Sequence, residues 1–138
     1  MTQSMETMSR HAPLPCTGEH EPPTMRLHLW VETPEGVLFG MGRLILLHEI
    51  ESTGSLTAAA AKLGMSYRGA WGKITRTENL LGHKLIDRSD CRRSGCKLTP
   101  YGQDLARRFR DWFEQVERFA LDQGKALLPF QPKRYETS

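Results

Sequence analysis

The sequence predicts a mainly α-helical fold with small β elements: an N-terminal β-hairpin, three helices, a second short hairpin and a long C-terminal helix. Three observations lead there. Residues 54–81, GSLTAAAAKLGMSYRGAWGKITRTENLL, read as two helices joined by a turn. Short alternating segments flank that pair near residues 26–39 and 85–99. Beyond them Leu105, Phe109, Trp112, Val116 and Phe119 recur at spacings of four and three, a heptad seam with Arg107, Arg110, Glu114 and Arg118 on the far side.

Taken in order, residues 1–25 contain Pro13, Pro15, Pro22 and Pro23 among polar residues and show no sustained period, so a disordered tail is expected. From Arg26 the pattern alternates: Leu27, Leu29 and Val31 on one face, His28, Trp30 and Glu32 on the other. Pro34, Glu35 and Gly36 supply turn chemistry, and Val37, Leu38 and Phe39 form the returning strand of a hairpin. A helix over residues 41–52 follows, with Leu44, Leu47 and Ile50 expected in the core beneath the next two helices.

Ser55 is positioned to cap the first helix of the central pair, and Leu56, Ala59, Ala60 and Leu63 give that helix a narrow apolar face. Gly64 ends it, because glycine readily takes the positive φ found just past a helix, and Ser66 caps the next. On this second helix, steps of about 100° place Tyr67, Ala70, Trp71, Ile74, Glu78 and Leu81 on one side. Arg68, Gly69, Gly72, Lys73 and Arg76 fall on the other. Each glycine costs a helix about 1 kcal/mol relative to alanine, and close approach of the backbone to a phosphate or base edge would explain both. Gly82 closes the helix. Residues 85–88 and 97–99 read as antiparallel strands joined by SDCRRSGC, and Thr99 with Pro100 caps the final helix.

Three helices followed by a two-stranded hairpin describe a winged helix-turn-helix, in which the second helix of the pair enters the DNA major groove. Charge supports that reading. The formal net charge is only +3, but residues 62–110 hold 12 Lys or Arg against 4 Asp or Glu, a net of +8, leaving −5 elsewhere. Such asymmetry marks a nucleic-acid-binding face. Arg68 and Lys73 are the candidates for base edges. Ser55, Thr57, Arg76, Arg92 and Arg93 are the candidates for phosphates, and Ser66, Tyr67, Gly69 and Gly72 complete the expected interface. The stripe Leu105, Phe109, Trp112, Val116 and Phe119 either packs on its own domain or pairs with a second copy, and a homodimer is expected.

No apolar run approaches the roughly 20 residues of a membrane span, and the N-terminus lacks a secretory signal, so a cytoplasmic protein is expected. Three cysteines, Cys16, Cys91 and Cys96, argue against a disulfide framework and lead to an expectation of free thiols. A metal or redox site of Cys91, Cys96 and His83 lacks the tight CxxC spacing of zinc sites. His28, His48 and His83 lie on different elements, with no carboxylate pair or nucleophile and base beside them, so no enzyme activity, metal or cofactor is expected.

The run GSLTAAAAKLGMSYRGAW, followed by LGHKLIDR and KLTPYGQDL, resembles the N-terminal winged-helix domain of the ModE family of molybdate-responsive transcription regulators. Its helix-turn-helix is similar to that of LysR-type regulators. The resemblance covers residues 26–121, divides the chain into a tail at 1–25, a domain at 26–123 with a dimerisation helix from about residue 100, and a tail at 124–138. It implies a homodimeric, sequence-specific transcription regulator bound to double-stranded DNA. ModE proteins carry C-terminal molybdate-binding domains, for which this chain has no room, so no molybdate site is expected. A protein-interaction or architectural DNA-binding module built on the same fold is the alternative.

Overall fold

A computed structural model describes residues 12–15, 18, 21–89 and 95–136. The chain divides into two compact units, His28–Trp112 and a second formed by Met1–Leu27 with Phe113–Ser138.

The first unit opens with the antiparallel hairpin of β2 (Trp30–Thr33) and β3 (Gly36–Gly40), where Trp30 pairs with Gly40 and Thr33 with Gly36. Phe39 turns inward and meets Phe109 edge to face, with ring centroids 5.1 Å apart. Helix α1 (Met41–Thr53) buries Leu44, Leu46, Leu47 and Ile50. Full burial of each such side chain contributes roughly 1.5–3 kcal/mol, which makes α1 the centre of the core. Gly54, at φ 71°, ends the helix by donating its amide to the Ile50 carbonyl.

Helix α2 (Leu56–Lys62) starts as its sequence requires, with the Ser55 hydroxyl accepting from the Ala58 amide at 3.1 Å. Its far end closes through Gly64, at φ 69°, and a bond from the Met65 amide to the Ala60 carbonyl. Leu56, Ala59 and Ala60 are its buried residues, and the two small alanines leave room for a neighbouring helix to pack close. Helix α3 (Tyr67–Leu81) follows, capped by Ser66 through the Gly69 amide at 2.9 Å and closed by Gly82.

The wing is shorter than the pattern at residues 85–88 suggests: β4 (Ile86–Asp87) pairs with β5 (Lys97–Leu98), Ile86 opposite Leu98. Leu85 instead serves the turn, its carbonyl accepting from the Thr99 amide at 2.9 Å. The Thr99 hydroxyl donates to the Lys84 carbonyl and accepts from the Gly102 amide, so one residue joins the wing to the start of helix α4 (Pro100–Leu127). Cys96 is buried and disulfide-bonded, which corrects the expectation of a free thiol; compartment tendencies describe chains in general and do not fix one cysteine. Cys16 and Cys91 lie outside the described residues.

In the second unit α4 runs past residue 123 to Leu127, and β6 (Lys133–Arg134) pairs in parallel with β1 (Thr24–Met25). The Lys133 amide donates to the Pro23 carbonyl, Arg134 meets Glu117 at 2.8 Å, and the Arg26 guanidinium lies 3.9 Å over the Tyr135 ring. Residues 124–136 are therefore built onto the chain, where the sequence reading expected a tail. No helix among the described residues is long and apolar enough to cross a membrane.

Among the described glycines the tightest approach is at Gly102, where a Cβ would fall inside contact distance of the Leu85 carbonyl. Gly102→Ala is expected to destabilise the domain by about 1–3 kcal/mol, read as a lower urea midpoint with an unchanged slope. A wild-type midpoint would show that α4 can withdraw from Leu85 without loss.

Candidate nucleic-acid interface

Helix α3 buries Ala70, Ile74, Thr77 and Glu78. Opposite them Arg68, Gly69, Gly72, Lys73 and Arg76 are all exposed. None of the three cations makes an ion pair among the described residues, so among these the face presents positive charge without a paired counter-charge. The two glycines differ in origin. A Cβ at Gly69 would crowd the capping Ser66 hydroxyl at 3.0 Å, whereas nothing lies within 4 Å of a Cβ at Gly72. Packing therefore gives no reason for Gly72, and its bare backbone leaves room for a close external approach.

Tyr67 and Trp71 correct the reading of the packing face. Both are exposed, at 51% and 36%. Tyr67 occupies the first position of the helix, and Trp71 is rotated about 100° from Ala70, so each sits at the edge of the buried stripe. Their rings stack 6.3 Å apart at 14°. The guanidinium of Arg88 lies over the other ring system of the pair, 4.2 Å from the Trp71 centroid.

Arg88 is held in turn by Glu78, whose side chain is 2% exposed. Arg88 Nη2 donates to Glu78 Oε1 at 2.8 Å and Nη1 to Oε2 at 3.3 Å. The Leu85 and Ile86 amides donate to Oε2 at 2.7 and 3.4 Å. Burial alone would raise the Glu78 pKa. The hydrogen bonds from Arg88 and the Leu85 amide, the Arg88 charge and the Ile86 amide outweigh it and hold the carboxyl below its ordinary value. One side chain on α3 thus fixes the first strand of the wing and, through Arg88, the rim of the exposed helix face.

Arg43 was not among the residues singled out from the sequence. On α1 it is 9% exposed, its Nε donating to the Thr77 hydroxyl at 3.0 Å while that hydroxyl donates to the Leu38 carbonyl at 2.7 Å. Burial first, and the nearby Arg76 charge second, lower its pKa from the usual guanidinium value. Its register was the available signal: Arg43 shares the i, i+4, i+7 face of Leu47 and Ile50.

The remaining sequence-derived residues divide as follows. Ser55 and Ser66 have their hydroxyl oxygens engaged as caps at the starts of α2 and α3, and Thr57 is exposed in the first turn of α2. Arg92 and Arg93 lie outside the described residues. On α4, Trp112 and Phe119 are exposed at 43% and 47%, and Leu105 and Val116 are half-buried. Phe109 is only 6% exposed because it packs on Phe39, which removes it from any external apolar stripe. His83 stacks on Tyr101 with centroids 4.3 Å apart, and no group of three or more potential metal ligands occurs among the described residues.

Comparison with known proteins agrees with this geometry. Residues 41–103 match the model of the bacterial regulatory helix-turn-helix protein, lysR family. The DNA-binding transcriptional dual regulator ModE of Escherichia coli K12 is 34% identical over 82 residues, covering 58% of this chain and 31% of ModE. The molybdenum-pterin-binding protein MopB of Rhodobacter capsulatus is 36% identical over 72 residues, covering 51% of this chain and 27% of MopB. The chain thus spans under a third of the length of these relatives. A solved CbnR_DBD-DNA complex superposes with a TM-score of 0.50 at 26% identity, covering 62% of this chain and 93% of that one. The superposition indicates that the winged-helix architecture is shared with that domain.

Glu78→Gln removes the charge that Arg88 requires and is expected to cost about 3 kcal/mol at neutral pH. The folded-state pKa of Glu78 is depressed, so its stabilisation is fully present above the ordinary value of 4.5 and is lost as pH falls through the lower folded value. Denaturation of both proteins across acid pH should therefore show the wild-type advantage shrinking below that point; an advantage independent of pH would contradict the charged pair.

Proposed function

We propose that this chain is a sequence-specific DNA-binding transcriptional regulator that acts as a homodimer, with α3 in the major groove. The observation that carries the reading is the exposed cationic face of Arg68, Lys73 and Arg76, which form no ion pair among the described residues, around the open backbone at Gly72, on the second helix of a LysR-type helix-turn-helix. Its similarity to ModE, named as a DNA-binding regulator, and to a domain solved on DNA supports the same direction. Molybdenum-pterin binding, which the name of MopB states, is not carried over, and no molybdate site is assigned to this chain.

In this mechanism Arg68 and Lys73 meet base edges, arginine favouring guanine because its fork bonds both O6 and N7. Arg76, Arg92, Arg93 and the first turn of α2 at Ser55 and Thr57 hold phosphates and set the register. Gly69 and Gly72 let the helix backbone come close. Two protomers associate through Trp112, Val116 and Phe119, with Leu105 at the margin, and present their α3 helices to successive major grooves about 34 Å apart.

Selection of bound sequences from a randomised duplex library tests this directly, an inverted repeat being the expected product. Enrichment of no motif would favour an architectural protein, and absence of salt-sensitive binding would favour a protein-interaction module. Arg68→Ala is expected to weaken binding to the selected duplex by about 1–3 kcal/mol and to relax the motif. An equal loss on random DNA would reassign Arg68 to a phosphate. Phe119→Asp places a charge on the exposed stripe and is expected to leave a folded monomer in sedimentation velocity; an unchanged dimer would exclude this face.

A further inference from the structure

We propose that Tyr67 and Trp71 form an apolar ledge that reads thymine C5-methyl groups, and that Arg88, anchored by Glu78, is the positioning residue that holds it. This rests on the DNA-binding reading above. The two rings are the large apolar groups left exposed on α3, although Ala70 and Ile74 beside them are fully covered. Trp71 follows Arg68 by three residues, which places it about 60° around the helix, so the ledge borders the cationic face on one side. A surface delivered to the major groove by Arg68 and Lys73 brings this ledge with it. The thymine methyl is the apolar group that base edges present there, and apolar side chains are its natural contact.

Arg88 differs from Arg68, Lys73 and Arg76, which form no ion pair among the described residues. Its charge is matched by Glu78 at 2.8 Å, and its guanidinium covers the Trp71 ring at 4.2 Å. A paired guanidinium adds little attraction for phosphate. It does fix the Trp71 ring, and the parallel stack with Tyr67 extends that order to the first turn of α3. A ring ordered before DNA arrives loses less side-chain freedom on binding. Glu78 cannot release Arg88 cheaply, since its carboxylate is buried and also ties down the Leu85 and Ile86 amides.

The test uses two randomised duplex libraries, one with thymidine and one with deoxyuridine in its place, which differ only by the methyl group. The wild-type protein is expected to enrich A·T pairs at fixed half-site positions from the first library and to leave those positions unspecified in the second. On the recovered duplex, replacing thymidine by deoxyuridine should weaken binding on the order of fourfold per contacted methyl. Trp71→Ala should bring that ratio close to one while salt-dependent binding persists. Tyr67→Ala, at the more exposed ring, provides an independent arm if the first variant folds poorly. Arg88→Lys keeps a charge but loses the planar fork, and should lower the ratio without abolishing binding. The ratio is internal to each variant, so a smaller folded fraction does not move it. Identical motifs from both libraries, or an unchanged ratio in Trp71→Ala and Tyr67→Ala, would overturn the ledge. Binding without enrichment from either library would also overturn it while leaving DNA binding intact, whereas no binding to either library would remove the reading on which it rests.

Discussion

The buried carboxylate of Glu78 is the interaction on which the reading side of this domain depends. A charge in that position is costly unless fully paired, and here two backbone amides and a bidentate guanidinium pair it. The cost of breaking any of these bonds keeps the wing from slipping along α3. The same carboxylate sets Arg88 over Trp71, so the mutual placement of helix, wing base and exposed rings follows from one residue near the C-terminal end of α3.

A second polar tie secures the other flank. Arg43 on α1, Thr77 on α3 and the Leu38 carbonyl on β3 form a chain of hydrogen bonds across three elements. Apolar burial of Leu46, Leu47 and Ile50 supplies the bulk of the driving force, but it is non-directional. The two polar ties fix the rotation of α3 about its own axis, and therefore which of its residues face outward. Arg68, Lys73 and Arg76 are turned outward by that rotation and form no ion pair among the described residues.

What was legible in the sequence was local. Ser55, Gly64, Ser66, Gly82 and Thr99 mark helix ends because each acts on groups within a turn of itself, and all five behave as their chemistry requires. The hairpin, the three helices and the wing follow from short periodic runs between those marks. The candidate face of α3 was legible for the same reason, since periodicity assigns directions around a helix. It does not say how far neighbouring elements extend, which is why Tyr67 and Trp71 emerged exposed. Glu78 fell on the inward face, but its partners lie seven to ten residues later and belong to the wing. The Arg43 to Thr77 bond spans 34 positions, and the pairing of Thr24–Met25 with Lys133–Arg134 joins opposite ends of the chain. Contacts of that separation leave no periodic trace. The apolar spacing of α4 similarly concealed two destinations, with Phe109 closing its own core and Trp112 and Phe119 left exposed.

The measurement that bears most directly on this account is amide chemical-shift mapping of the isotopically labelled full chain as a duplex is added at near-physiological salt. Shifts concentrated at residues 55–57 and 66–76 are expected, with the buried stripe of α1 unmoved. Shifts concentrated elsewhere, with α3 silent while the duplex is bound, would contradict the assignment of α3 as the reading helix.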